Sequence, residues 1–361
     1  MRVDGEFPVV GSGGVSGTHI SHNFKGPGIV IGRKGSYGSI HWIPTNGFAI
    51  DTAYFIDRRL TSAHLRWLYY ALQAVDLRGA SQDVGVPGLA RETAYEVLLP
   101  VPQFLEEQCR IAEFLDTETA RIDLLTSKKL SLLSLLEERI DSRILDLIGA
   151  SNLAKSELSR SVSPIRRLLK KMNRMPKPDA HPITAFRDGQ VTARLLRRTD
   201  GYTLPSSTEA AGQFVEPGDV VIHGLDGFAG AIGTSEASGN CSPVYHVCTP
   251  LDGGDPLFLG RLLRVLAITG YLGLFATSTR ERAVDFRNWD LFGRIPIPQV
   301  PQQEQREIGA WISSIRPLRV AIDRSNALAV ERRQALITAA VTGQFDVSTA
   351  SGRNVTEGVG A

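Results

Sequence analysis

Part of this chain occurs twice, and the repetition limits what it can fold into more than any other feature. Leu99-Pro100-Val101-Pro102-Gln103 leads into Glu107-Gln108-Cys109-Arg110-Ile111. Ile295-Pro296-Ile297-Pro298-Gln299 leads into Glu304-Gln305-Arg306-Glu307-Ile308. The two Glu-Gln pairs are 197 residues apart. Each opens a long stretch of helical periodicity with a charged knot near its far end, Glu137-Glu138-Arg139 and Glu331-Arg332-Arg333. Upstream, Pro27-Gly28-Ile29-Val30-Ile31 rhymes with Pro217-Gly218-Asp219-Val220-Val221-Ile222. A solenoid repeats every 20–50 residues or so, far short of this period. The pattern predicts a pseudo-two-fold tandem of two units, each a globular domain followed by a helical arm.

Periodicity defines the arms. From Glu106 to Ile148 no Pro or Gly intervenes. Ile111, Leu115, Ile122, Leu125, Leu132, Leu136, Ile140, Ile144 and Leu147 fall on one stripe at spacings of three, four and seven. A helix over those 43 residues would be roughly 64 Å long at 1.5 Å per residue. It cannot bury its stripe against itself, so it needs a partner. The second stretch, 303–342, supplies one through Ile308, Trp311, Ile315, Leu318, Ile322, Ala329, Leu336 and Ala340. Pro317 inside it is expected to kink or interrupt the helix. The domains read as α/β, with short strands such as Ile29-Val30-Ile31, a tight Gly32–Gly38 loop, and helical spacing from Leu65 to Leu77. The tail after Phe345 is small and polar and is expected to be disordered.

No apolar run approaches the 18 or so residues of a membrane span. Three cysteines, Cys109, Cys241 and Cys248, make no disulfide framework, and a reducing cytoplasm is the natural setting. The net charge of +2 hides an uneven division. Residues 101–160 carry net −3 and residues 161–300 net +3. Between Arg160 and Asp200 stand eleven basic and three acidic residues. Such a cluster suits phosphate contact, although a solvated basic face reads the same way.

Catalytic signatures are missing. Lys34 is followed by Gly35, so the glycine-rich Gly28–Ser36 segment is no P-loop. Neither a GxGxxG fingerprint nor a GxSxG elbow occurs. The Asn-Pro-Pro or Asp-Pro-Pro of amino-methyltransferases and the [DE]-x-K of restriction-type nucleases are absent too. His223, Cys241, His246 and Cys248 match no common zinc spacing. These residues describe a reader or scaffold with no metal or catalytic site of its own.

The repeated segments resemble a known family. Pro100-Val101-Pro102…Glu107-Gln108-Cys109-Arg110-Ile111-Ala112-Glu113-Phe114-Leu115-Asp116 is similar to a target recognition domain running into a spacer helix. Glu331-Arg332-Arg333-Gln334-Ala335-Leu336-Ile337-Thr338-Ala339-Ala340-Val341-Thr342-Gly343-Gln344 is similar to the end of the second spacer helix. Both belong to the specificity (S) subunits of Type I restriction-modification systems. Phe7–Gly14 and Gly28–Gly38 also resemble a recognition domain of that family. The order is preserved over nearly the whole chain. One departure is internal. About 55 residues separate Ser163 from Pro217-Gly218, but only 26 precede Pro27-Gly28, so the first domain is expected to be N-terminally shortened by roughly 30 residues.

The resemblance implies α/β recognition domains at 1–102 and 161–298, spacer helices at 103–160 and 299–346, and a tail at 347–361. It implies a non-catalytic subunit that reads a split double-stranded DNA target and docks two methyltransferase subunits and the restriction subunits. S-adenosylmethionine, ATP and magnesium would sit on those partners, and no membrane is involved. The alternative is a non-catalytic helical scaffold for a protein or carbohydrate partner. Placement suggests the DNA contacts: Arg33, Lys34, Ser36 and Tyr37 in the first glycine-flanked loop, Ser81 and Gln82 after the first helix, and Thr279, Arg280 and Arg282 in the comparable second place. The loop reads equally as a structural turn with solvated charges. Arg166, Arg167, Lys170, Lys171 and Arg174 have the spacing of one helix face and, with Lys177, are expected to meet phosphates.

Overall fold

The apolar run Gly28–Gly32 is buried at all five positions. Successive strand side chains face opposite ways, so such a run marks a strand covered on both faces. The structure, a computed structural model, describes residues 4–78, 88–149, 161–197, 212–275 and 285–349. It divides into two units, residues 1–129 with 322–361, and residues 130–321.

In the first unit, strands β1 (Phe7–Gly11) and β2 (Gly14–His19) form a hairpin ahead of β3 (Gly28–Gly32). Strands β4 (Ile40–Ile43), β5 (Phe48–Ala49) and β6 (Ala53–Asp57) follow. The main sheet has the order β4-β3-β6, all antiparallel, and the smaller one β2-β1-β5. Ile29 and Ile31 meet helix α1 (Leu65–Gln73) through Trp67, Leu68, Ala71 and Leu72. Val30 faces the other way, into Val10, Phe24, Ile43 and Ala49. A short α2 (Arg91–Tyr95) precedes α3 (Leu105–Leu147), which has 43 residues. Pro100 and Pro102 stand ahead of it, and Glu106 and Glu107 fill its first turn, where the helix dipole favours negative charge. Gly149 closes its far end at φ 69°, donating to the Asp146 carbonyl.

The second unit repeats the plan with additions. Strand β7 (Val162–Pro164), the one-turn α4 (Ile165–Leu168) and β8 (Leu169–Lys171) come first. A hairpin of β9 (Ile183–Ala185) and β10 (Val191–Ala193) leads to β11 (Gln213–Val215), β12 (Val220–His223), β13 (Ile232–Thr234), β14 (Gly239–Cys241) and β15 (Tyr245–Pro250). The main sheet is β13-β12-β15-β8. Helix α5 (Pro256–Ile268) packs on β12, β13 and β15. Val191, Val215, Val221, Cys241 and Val247 form one core cluster of this unit. After α6 (Trp289–Phe292), β16 (Pro296–Pro298) pairs with β7 and runs into α7 (Gln302–Val341). That pairing leaves Ile297 0% exposed, whereas its repeat counterpart Val101, in no strand, is 57% exposed.

In each unit, part of α3 packs antiparallel on part of α7. In the first, Arg333 pairs with Asp123 at 3.6 Å and Lys129 Nζ donates to Ser325 Oγ at 2.7 Å. In the second, Arg319 pairs with Glu137, and Arg139 lies over the Trp311 ring. Three expectations need correction. The α3 seam runs through Thr119, Ile122, Thr126, Lys129 and Leu133, while Leu125 and Leu132 are exposed. Each of those leucines is one residue, about 100°, away from a seam position. Leu318 of α7 is exposed as well. Pro317 does not interrupt α7. It lies on the exposed side, and Ser313, whose carbonyl loses its donor there, is exposed too. The first residues of the tail are part of the fold, with Val347 packing on the first core beside Phe345, and residues 350–361 lie outside the described part. No described helix is long and apolar enough to cross a membrane.

Candidate nucleic-acid interface

Each unit gathers arginines around a tyrosine at the start of its third main-sheet strand. In the first, Tyr54 faces Ile31 across the sheet and donates to the Leu89 carbonyl at 3.1 Å. The Arg33 and Arg91 guanidinium groups lie over its ring at 5.6 and 5.7 Å. Arg33 leaves β3 at the expected glycine loop. Gly32 is required there, because a Cβ would fall 2.3 Å from the Ser36 carbonyl oxygen. Arg33, Lys34 and Ser36 are exposed, and Lys34 bridges to Gly88. Tyr37 differs from the expectation: it packs against the first core and is half-buried.

In the second unit the tyrosine is Tyr245, which faces His223 across the sheet. Burial pushes its hydroxyl up to about 12. It lines a cleft of about 660 Å3 with Phe186, Arg187, Asp188, Arg194, Arg197, His223 and Asp226. Arg187 Nη2 donates to Asp226 at 3.0 Å, and Arg197 Nη1 pairs with Asp188 at 2.8 Å while stacking on Phe186. His223 Nδ1 accepts from the Leu225 and Asp226 amides, and burial holds its pKa below the ordinary histidine value. Arginine forks held by carboxylates lose little freedom on meeting a further acceptor. The three cleft arginines were missed as contacts in the sequence. The signal was the Arg187-Asp188-Gly189 turn, an Asp-Gly hairpin signature that puts its neighbours at a sheet edge.

The basic run 166–177 does not form one helix face. Helix α4 stops at Leu168, and β8 carries Lys170 and Lys171 onto the sheet edge. Burial decides this, because Ile165 and Leu169 are both core residues, and the sheet overrides the charge spacing. Arg166, Arg167, Lys170, Lys171 and Lys177 are exposed. Lys177 Nζ lies 3.7 Å from the centre of the Phe214 ring. Arg174 is engaged within the fold, donating to both Asp219 carboxylate oxygens at 2.5 and 3.1 Å and pairing with Glu216. Ser81, Gln82, Thr279, Arg280 and Arg282 lie outside the described residues. Among the described residues, no group of three His, Cys, Asp or Glu side chains is placed to hold a metal ion. Cys241 and Cys248 are buried.

Two sheet-and-helix bodies in one chain, each joined to arm segments and each with an arginine cluster beside a main-sheet tyrosine, define a duplicated architecture. No protein-family model and no curated protein matches the sequence. Solved structures match its fold. A chain from the structure described as the structural basis of complex assembly and conformational transition of the type I R-M system aligns with TM-score 0.58 at 13% identity, covering 94% of this chain and 92% of that one. The Type-I restriction-modification system S subunit from M. genitalium aligns at 0.48 and 16% identity, covering 93% and 89%. The HsdS subunit from Thermoanaerobacter tengcongensis aligns at 0.41 and 15%, covering 94% and 91%. The chain shares its fold with a chain of a type I R-M system structure, and at this identity the likeness is one of fold.

Proposed function

We propose that this chain is the DNA-specificity subunit of a Type I restriction-modification complex, without catalytic chemistry of its own. The observation that carries the reading is the duplicated body with its own arginine cluster, on a fold shared with a type I system over more than nine-tenths of both chains. Each body reads one half of a split double-stranded target. A mismatch at one position costs about 1–3 kcal/mol, so two short half-sites multiply specificity. Arg33 and Arg91 in one unit and Arg187 and Arg197 in the other offer bidentate forks to guanine edges or phosphates. Exposed Arg166, Arg167, Lys170, Lys171 and Lys177 offer positive charge to phosphates.

The arms dock two methyltransferase subunits, which bring S-adenosylmethionine, and restriction subunits that bring ATP and magnesium complete the complex. Exposed Leu124 and Leu125 in the first unit, and Leu132 and Leu135 in the second, supply apolar surface for a partner helix. A gel shift with and without the methyltransferase subunits tests the reading. Sequence-specific retention of duplex DNA that strengthens when those subunits are added supports it. Retention of no duplex in either case contradicts it and returns the chain to the scaffold class.

A further inference from the structure

The repeated Glu-Gln pair has a physical role that the repeat itself does not explain. Gln108 and Gln305, 197 residues apart, are both nearly buried, at 5% and 7% exposed. Each sits in the first turn of an arm and grips the same two things. Gln108 Oε1 accepts the His64 amide at 2.7 Å, and its Nε2 donates to the Pro102 carbonyl at 3.0 Å. Gln305 Oε1 accepts the Asp255 amide at 3.1 Å, and its Nε2 donates to the Val300 carbonyl at 2.7 Å.

His64 and Asp255 are the N-caps of α1 and α5, the helices that cover the main sheets. His64 Nδ1 accepts from Trp67, and Asp255 Oδ1 accepts from Phe258. In a capping box the third helical residue, Glu or Gln, returns a bond to the N-cap amide. That position holds Trp67 in α1 and Phe258 in α5, which cannot do so. The arm glutamine supplies the missing half of the box from outside the helix. The seat is tight in the second unit, where a Cβ on Gly309 would lie within 2.5 Å of the Asp255 carboxyl.

We propose that Gln108 and Gln305 are positioning residues that set the direction of each reading body on its own arm, and through it the spacing of the half-sites. This role rests on the proposed DNA-specificity function. A buried amide that bridges two backbone groups has no slack, because leaving either group unpaired in the interior is costly. One such bridge at each junction ties the body to the first turn of the arm without contacting DNA.

Gln305→Met and Gln108→Met keep side-chain volume and remove both bonds. In the assembled complex, binding is measured on duplexes with fixed half-sites and spacers varied by one or two base pairs. The intact chain should prefer its own spacer by about tenfold or more, and each variant should flatten that preference to about threefold or less, with half-site bases unchanged. Amide exchange at Asp255 and His64 is followed in parallel and should quicken in the corresponding variant. Loss of affinity by the same factor on every spacer, or an unchanged spacer preference, overturns the positioning role. Unchanged exchange overturns the contact itself. If the intact complex shows no preference among duplexes, the DNA-specificity reading fails, and the exchange data still judge the contact separately. Should one variant not fold, the other tests the same bridge in the other unit.

Discussion

Arg174 shows how one partner changes a residue's role. It belongs to the basic front of the second domain, yet its guanidinium is held against Asp219, a nearly buried carboxylate, and its pKa is raised by that bond. Removing it leaves Asp219 without its cation. Arg174→Ala should therefore destabilise the second unit by about 3 kcal/mol, read by thermal unfolding, with the salt slope of DNA binding unchanged. Neutralising two of the exposed Arg166, Arg167, Lys170 and Lys171 should do the opposite. It should flatten the slope by about two units and weaken all sequences alike. An Arg174 variant that flattens the slope would contradict the division. Acid should act on the second unit first. Burial holds His223 and His246 below the ordinary histidine pKa, so the unfolded chain takes up protons before the folded one. Stability is complete above about pH 6.5 and falls as pH drops below it. In the first unit the Arg59 side chain draws Asp57 down to about 2, and its contribution is lost only as pH falls below the usual carboxylate range. Amide exchange between pH 7.5 and 5 should loosen β12 and β15 before β3 and β6. The reverse order would contradict these assignments.

At the scale of elements, local signals were legible and register was not. The length of α3 followed from its uninterrupted periodicity, the acidic first turn and the glycine beyond its end, all of which act within a turn or two. The seam was misplaced in its middle because leucines abound there, and a stripe through Leu125 and Leu132 fits the spacing as well as the one through Thr126 and Leu133. Partner contacts choose between them, and they lie far away in the chain. The α4–β8 segment was misread for a related reason. Its cations have helical spacing, but Ile165 and Leu169 are claimed by the core. Arginines at the β9–β10 turn escaped notice because only the fold brings them beside Tyr245. The two leucine sets should separate by experiment. Leu133→Ala should destabilise the chain by about 2–3 kcal/mol. Leu125→Glu with Leu132→Glu should leave the melting temperature nearly unchanged and abolish co-purification with the methyltransferase subunit. Retained co-purification would remove these leucines from the docking surface.

At the scale of the whole molecule, the proposed function makes arm length a determinant of the DNA target's spacing. Adding or removing four residues near Ser127–Ser134 keeps the seam close to phase and shifts the helix end by about 6 Å. DNA rises about 3.4 Å per base pair, so the preferred spacer should change by one or two base pairs with both half-sites retained. An unchanged spacer, or altered half-site bases, would sink the idea that the arms act as a ruler. The duplication was fully legible in the sequence, because it needs no contacts to be seen. Which bases the proposed reading would select was not, because that depends on side chains at loop surfaces. The most direct test of split-target reading is a map of DNA methylation in cells that express this chain with its methyltransferase subunits, against cells that lack the chain alone. Methylation should appear only with the chain present, at a sequence of two short defined halves separated by a spacer of fixed length and free composition. Methylation that does not depend on the chain, or a single undivided motif, would contradict it.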